Sequence, residues 1–194
     1  SINLIYFCKW LINDYKIIVS GIENNSKLTK ELSNLGVEIR SPLIKYLFIK
    51  KLKGFLHIPV SLINTFFDTY KSKPDLLICL GGVFYNGFGV LVAGKILNIK
   101  TLVRSAEDHI SLISFENRYK FNYYYLKFKA LLSRIVIKNS NYFLTVGEWS
   151  INYFRKTYKL SKKNSFMIPG PVDKSITQKK EFNLDSSLLK IKIQ

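Results

Sequence analysis

The chain of 194 residues is short of cysteine, histidine and arginine. Its two cysteines, Cys8 and Cys79, stand far apart in apolar runs, and with the two histidines they form no metal-ligand spacing. The sequence therefore predicts neither a disulfide framework nor a metal site, and it favours a reducing compartment. A chain of this length can bury a sufficient core without either aid.

Long apolar runs are absent as well. One nearly uncharged stretch, residues 54–67, is shorter than the roughly 20 residues that a membrane-spanning helix requires. The first residues also lack the basic region of a secretion signal. The sequence thus favours a cytoplasmic protein that is soluble or bound peripherally to the inner face of a membrane.

The charge balance is strongly basic, with 30 Lys and Arg against 13 Asp and Glu and a net charge of +17. Such a surplus favours an anionic partner such as nucleic acid, a phosphorylated substrate or a membrane surface. Only five of the cations are arginine, the residue preferred for bidentate phosphate recognition, whereas lysine also serves simply to solvate a surface. Background composition is therefore a slightly better explanation of the charge.

Short apolar runs alternate with helical patterns along the chain. Residues 76–80, 101–103 and 142–146 are typical of strands buried on both faces of a parallel sheet. Strands that alternate with helices over short loops predict a doubly wound, Rossmann-like α/β fold. Further strands are expected at 15–21, 37–40 and 165–168, and helices at 4–12, 26–35, 89–97, 117–138 and 148–158.

Ligands bind such folds beside the carboxyl ends of the strands. There, Gly81 and Gly82 would let a substrate approach the backbone, although Gly82 is somewhat better explained as a turn glycine needed for its conformation. Glu148, Trp149 and Ser150 open a helix whose N-terminus faces the cleft, which suits an anionic group. Glu148 equally well stabilises its own helix from the first turn.

Three segments resemble, in this order and spacing, the N-terminal domain of glycosyltransferase family 4. The first is KPDLLICLGG at 73–82, followed by a helix that ends in AGKILNIK at 93–100. The second is SNYFLTVGEWS at 140–150, and the third is MIPGPVD at 167–173, which is similar to the family's interdomain hinge. The resemblance covers about residues 4–173.

The resemblance implies one lobe of a GT-B fold, in which two Rossmann-like lobes face each other. Residues 1–173 would form the acceptor-side lobe without the family's first strand, and residues 174–194 the hinge and the start of the donor-binding lobe. The implied activity is retaining transfer of a sugar, of the hexosyltransferase type, from a nucleotide sugar to a glycan or lipid-linked acceptor. The nucleotide sugar is a co-substrate, no cofactor is implied, and the chain alone is expected to be inactive.

The loop 104–109 follows a strand where the family carries an acid that faces the donor sugar. Asp108 matches that acid best and is the expected catalytic residue, and Arg104 matches a basic residue before it. Glu107 stands where a glycine is usual, and Glu107 and His109 are expected to contribute to substrate or donor binding. The alternative is that Arg104 pairs with the acids at a strand end and that His109 is an ordinary loop residue.

Two other functions stay open. The chain could be a basic Rossmann-like module that binds nucleic acid without catalysis, because Lys50 and Lys51 lie close to aromatic side chains such as Phe48 that could stack on bases. No nucleic-acid-binding motif is found, so this partner is disfavoured. The chain could also be a non-catalytic partner subunit.

Residues 42–70 are basic and aromatic and have a helical pattern. A helix here could lie in an anionic membrane surface, with lysines beside its apolar face. The alternative is that its apolar face packs on the sheet. The basic run 118–138, also rich in Tyr and Phe, supports the membrane interpretation. The expected apolar face consists of Leu43, Ile44, Leu47, Phe48 and Leu52.

Overall fold

The computed structural model describes residues 2–20, 27–44, 57–105 and 120–168, and strands alternate with helices along them. The helices are α1 (Ile2–Leu11), α2 (Lys27–Asn34), α3 (His57–Ser72), α4 (Asn86–Leu97), α5 (Lys120–Asn139) and α6 (Glu148–Tyr158), with a short 3₁₀ helix at Lys162–Asn164. The strands are β1 (Ile18–Ser20), β2 (Glu38–Arg40), β3 (Leu76–Cys79), β4 (Lys100–Arg104), β5 (Tyr142–Thr145) and β6 (Ser165–Met167).

Every strand pair formed by these residues is parallel. Strands β3, β4, β5 and β6 lie side by side in chain order, and β1 and β2 form a separate two-stranded sheet. The prediction of a Rossmann-like α/β fold is therefore confirmed, and the three central strands lie within one residue of their expected bounds. The four-stranded order is the one that short right-handed βαβ connections produce.

The division into two sheets differs from the single sheet that the sequence suggests. Within the described ranges no strand joins β1 to β3. The two-stranded sheet is instead linked by side chains to the end of α3. Ser20 Oγ donates a hydrogen bond to the Asp68 carboxylate, and Arg40 Nη1 donates to the Asp68 carbonyl at 3.5 Å.

The main core lies between the four-stranded sheet and helices α4, α5 and α6. Cys79, Val103 and Phe143 are register partners on neighbouring strands, so their side chains share one face. On the opposite face Leu102 and Leu144 are buried, at 9% and 3% exposed, and their neighbours Ile78 and Tyr142 are half-buried. Burial on both faces is what the continuous apolar runs predict. The helices contribute Val90, Leu91, Val136, Ile137, Ile151, Phe154 and Tyr158 to this core.

Asn141 fixes the start of β5 against β4. Its Oδ1 accepts a hydrogen bond of 2.9 Å from the Thr101 backbone N–H, and its own N–H donates to Thr101 Oγ1 at 3.2 Å. The two contacts set the register of the strands at their amino ends. The carboxyl ends of β4 and β5 therefore finish at the same edge of the sheet.

Helix α3 buries several of its polar side chains and exposes aromatic ones, which differs from the apolar packing that one alternative gave for a helix in residues 42–70. Ser61 and Asn64 are 2% and 4% exposed, whereas Phe67 and Tyr70 are 46% and 61% exposed. Ser61 lies against α4, where a Cβ on Gly89 would be 3.1 Å from its carbonyl oxygen. Burial of this polar side is possible because its groups find hydrogen-bond partners.

The expected membrane face between residues 42 and 70 is only partly described. Leu43 and Ile44 lie in a bend rather than in a helix, so the predicted helical face does not begin there. Ile44 is held by Asn64, which accepts from its N–H at 2.8 Å and donates to its carbonyl at 3.1 Å. Leu47, Phe48 and Leu52 lie outside the described residues.

Candidate functional site

The loops after β3, β4 and β5 meet at the carboxyl edge of the four-stranded sheet. Arg104, the last residue of β4, is the register partner of Leu144, and the Ser105 N–H donates to the Leu144 carbonyl at 3.0 Å. Neighbouring strands are about 4.8 Å apart, so the three loops lie within roughly 10 Å of one another. We call residues 80–85, 104–105 and 146–150 together the carboxyl edge.

Gly81 and Gly82 have different roles in the first of these loops. Gly82 has φ +65, and a Cβ there would lie 2.7 Å from the Tyr85 ring, so conformation and space both require glycine. Its carbonyl accepts from the Asn86 N–H at 2.8 Å and thereby starts α4. Gly81 is exposed, with nothing within 4 Å of a Cβ position, so its backbone is open to a ligand.

Two side chains hold the open glycine in place. Cys79 Sγ donates to the Gly81 carbonyl at 3.2 Å, and burial raises the pKa of this thiol from its ordinary value of 9.0 to about 11. Asn86 Nδ2 lies 3.5 Å from the same carbonyl, while its Oδ1 accepts from Ser61 Oγ at 3.0 Å. The carbonyl is therefore directed inward and is held by both residues.

Arg104 is half-buried at the end of β4. Both ion pairs of the described ranges involve Glu38, so no described carboxylate pairs with the Arg104 guanidinium. Its five N–H donors suit an anionic or multiply hydroxylated ligand at this edge. Glu107, Asp108 and His109 lie outside the described residues, and the roles expected for them stay predictions.

Glu148 and Ser150 begin α6 directly beyond β5. Gly147 precedes them with an extended backbone and has no side chain that could cap the helix, so the first N–H groups of α6 lack a cap from this residue. Glu148 is exposed and Ser150 half-buried, with Ser150 Oγ 3.7 Å from the position of a Cβ on Gly147. The structure thus brings both residues to the edge that carries Gly81 and Arg104.

Trp149 is a further candidate, which the sequence places at the start of this helix but to which it assigns no binding role. Its side chain is 78% exposed, and its ring is stacked on Tyr153 at 5.5 Å with an interplanar angle of 13°. Large aromatic residues are usually well buried. An exposed indole that is stacked on a second ring offers its free face as a flat surface for a ligand ring. The signal in the sequence is the i, i+4 pair of aromatic residues at the start of a helix that follows a buried strand.

A shallow cavity of about 320 Å³ lies at the opposite, amino edge of the sheet. It lies between the end of α5 and the 3₁₀ helix, away from the three loops. In the ranges that the structure describes, no group of three or more His, Cys, Asp and Glu side chains could hold a metal ion. The cavity is lined by Ile137, Lys138, Ser140, Phe143, Tyr158, Lys159, Leu160, Ser161 and Asn164.

No helix in residues 2–20, 27–44, 57–105 and 120–168 combines the length and apolarity needed to cross a bilayer. Comparison with models of protein families and with curated protein sequences gives no match. We therefore infer the function of the chain from the residues and the geometry of the carboxyl edge.

Proposed function

We propose that this chain is the acceptor-side lobe of a retaining glycosyltransferase, which moves a sugar from a nucleotide-sugar donor to a glycan or lipid-linked acceptor. The observation that supports this most is the juxtaposition of Gly81, Arg104 and the start of α6 at one edge of a parallel sheet. The three sequence segments that resemble family 4 contribute two of these loops. We also propose a cytoplasmic location for the protein.

The acceptor chemistry follows from the polar and aromatic groups at this edge. Sugar rings present C–H groups on one face, and such groups pack well on the electron-rich face of an indole such as Trp149. Ser150 and Glu148 would then hydrogen-bond the hydroxyls of a sugar on that ring. Fixing an acceptor hydroxyl in this way lowers the barrier by removing its orientational freedom.

The donor side needs positive charge, because negative charge develops on the departing diphosphate. Arg104 is unpaired by any described carboxylate and stands at the same edge, so it would supply part of that charge. In this proposal Asp108 remains the predicted catalytic acid, and Glu107 and His109 remain predicted donor or substrate contacts. Most diphosphate contacts would come from a second lobe, as the resemblance implies.

Tryptophan fluorescence tests the proposal, because the chain has two tryptophans, at positions 10 and 149. In Trp10→Phe the emission reports on Trp149 alone. We expect methyl glycosides of common hexoses, at millimolar concentration, to shift this emission and to reduce its quenching by acrylamide. In the matched variant Trp149→Phe, where Trp10 on α1 is the reporter, the same sugars should change nothing.

Two results would count against the proposal. One is an emission from Trp149 that no hexose in the panel affects, although a single-stranded oligonucleotide does; this would favour the nucleic-acid-binding module. The other is micromolar affinity of the 194-residue chain for a nucleotide sugar, measured by calorimetry, because the acceptor-side lobe should lack most of the donor contacts.

A further inference from the structure

Helix α5 carries an outer face that the described part of the fold leaves exposed. Its members share one arc of about 100° on the helix and extend over roughly 21 Å of its length. The apolar ones are well exposed, Tyr124 to 70%, Leu131 to 55% and Ile135 to 37%. The α5 outer face consists of Tyr124, Lys127, Leu131, Arg134, Ile135 and Lys138.

The inner side of the same helix already provides the apolar contacts that the core requires. Leu126, Ala130, Leu132, Val136 and Ile137 are each 9% exposed or less. A single exposed Leu would be ordinary, but here apolar side chains recur along a stripe and are interleaved with cations. The outward apolar residues therefore contribute little to folding and are available to a partner.

The charge of this helix has one sign only. Residues 120–139 include five Lys and Arg and no Asp or Glu. Lys129 is engaged inward, with its Nζ 4.8 Å from the Phe84 ring centre and 4.7 Å from that of Tyr125. Lys127, Arg134 and Lys138 are exposed on the outer face, and no described carboxylate forms an ion pair with them. Lys127 Nζ also lies 4.4 Å from the ring centre of Tyr123 on the same helix.

The end of α4 extends this face. Lys95 Nζ lies 3.5 Å from Asn139 Oδ1 at the end of α5, so the two helix ends are side by side. The neighbouring Ile96 is 63% exposed, and α4 contains no acid. The face thus continues onto a second helix with the same composition, one cation beside one exposed aliphatic side chain.

We propose that the α5 outer face, with Lys95 and Ile96, docks on the surface of an anionic lipid bilayer. Cations would lie among the headgroups while Tyr124, Leu131 and Ile135 enter the interfacial region. Single-stranded nucleic acid is the other polyanion to consider, but its binding depends on aromatic platforms for the bases. Leu131, Ile135 and Ile96 have no π face, so the composition favours lipid.

This inference stands on α5 and does not depend on sugar transfer. Membrane docking of α5 is nevertheless compatible with sugar transfer, because α5 follows β4 and its first turns lie toward the carboxyl edge. A bilayer along α5 would bring a lipid-linked acceptor close to that edge. The failure of either proposal would leave the other intact.

Vesicle flotation with the intact chain tests the docking. We expect binding to vesicles containing 30% phosphatidylserine at low salt, and little binding to pure phosphatidylcholine. The triple variant Lys127→Gln, Arg134→Gln, Lys138→Gln should lower the partition coefficient about 100-fold, since each cation near an anionic surface contributes about 1 kcal/mol and 1.4 kcal/mol is tenfold. The matched control is Lys156→Gln, Lys162→Gln, Lys163→Gln, which removes the same charge from exposed positions elsewhere and should change binding little.

A second pair of variants tests the apolar residues of the α5 outer face. Tyr124→Ser with Leu131→Ser should weaken binding to anionic vesicles at least tenfold, whereas Phe67→Ser with Tyr70→Ser, on the exposed side of α3, should not. Circular dichroism and thermal melting would show that each variant is folded. Equal effects of the two charge triples would overturn the assignment to α5, as would the absence of binding to anionic vesicles, or loss of oligonucleotide binding alone in the α5 variants.

Discussion

Arg104 and Leu144 are register partners across the parallel pair of β4 and β5. The pairing brings the end of β4 next to the stretch that leads from Leu144 through Gly147 into α6. Because β3 ends beside β4 in the same direction, the Gly81 loop joins them. One hydrogen-bonded register thus places a cation, an open backbone and an uncapped helix start at a common edge.

The two adjacent glycines should respond differently to an added methyl group. Gly82→Ala places a Cβ at φ +65 and against the Tyr85 ring, so we expect a loss of about 1–3 kcal/mol in the free energy of unfolding. Gly81→Ala meets open space and should stay within about 0.5 kcal/mol of the unmodified chain. Urea denaturation compares the two, and a larger loss for Gly81→Ala would contradict the conformations described.

Gly81→Ala should nevertheless weaken sugar binding, because its methyl group occupies the space above the backbone.

Two buried threonines, one with an unpaired hydroxyl and one with a hydrogen-bonded hydroxyl, allow the effect of a hydrogen bond on stability to be compared. Thr145 is fully buried and its Oγ1 has no hydrogen-bond partner among the described residues, whereas Thr101, 2% exposed, is bonded to Asn141 through its Oγ1. Thr145→Val removes an unpaired polar group and should raise the free energy of unfolding by about 1 kcal/mol. Thr101→Val removes the Oγ1 that accepts from the Asn141 N–H, but it keeps the bond from the Thr101 backbone N–H to Asn141 Oδ1. We expect it to lower the free energy of unfolding by about 0.5–1.5 kcal/mol. Chemical denaturation of both variants would refute this account if Thr145→Val were the more destabilising.

Cys79 gives the fold a measurable sensitivity to alkaline pH. Burial raises the pKa of its thiol from 9.0 to about 11, so the folded state favours the protonated form. The protonated thiol contributes fully to the free energy of unfolding below pH 9. This contribution, about 2–3 kcal/mol, is lost as the pH rises from 9 toward 11. We expect Cys79→Ala to be less stable at pH 8 but to lose less further stability between pH 9 and 11. Parallel loss in both proteins would show that other groups cause the alkaline unfolding.

The central strands and the last helix could be predicted from sequence because their signals are local. Continuous apolar runs marked β3, β4 and β5, and Glu148 and Tyr158 bound α6 as expected. Helix α4 begins three residues before its expected start, because the Gly82 carbonyl accepts from the Tyr85 and Asn86 N–H groups. That contact depends on the positive φ of Gly82, which composition does not reveal.

The features that sequence did not predict depend on pairs of residues far apart in the chain. Helix α3 turns its polar side inward because Asn64 bonds the Ile44 backbone and Ser61 meets Gly89, and a periodicity argument assumes an apolar contact instead. The exposure of the Trp149 side chain was not predicted from sequence either. Its exposure follows only from the packing of α6 through Ile151 and Phe154.

The most direct test of the proposed function is a two-dimensional ¹⁵N–¹H NMR titration of the isotopically labelled chain with saccharides. The account predicts that methyl hexosides shift the amide resonances of residues 81–82, 104–105 and 147–150, together with the Trp149 indole N–H, and leave those of β1 and β2 unchanged. A nucleotide sugar should cause weaker shifts in the same set. Shifts confined to the α5 outer face on addition of a single-stranded oligonucleotide, with none at the carboxyl edge for any sugar, would contradict it.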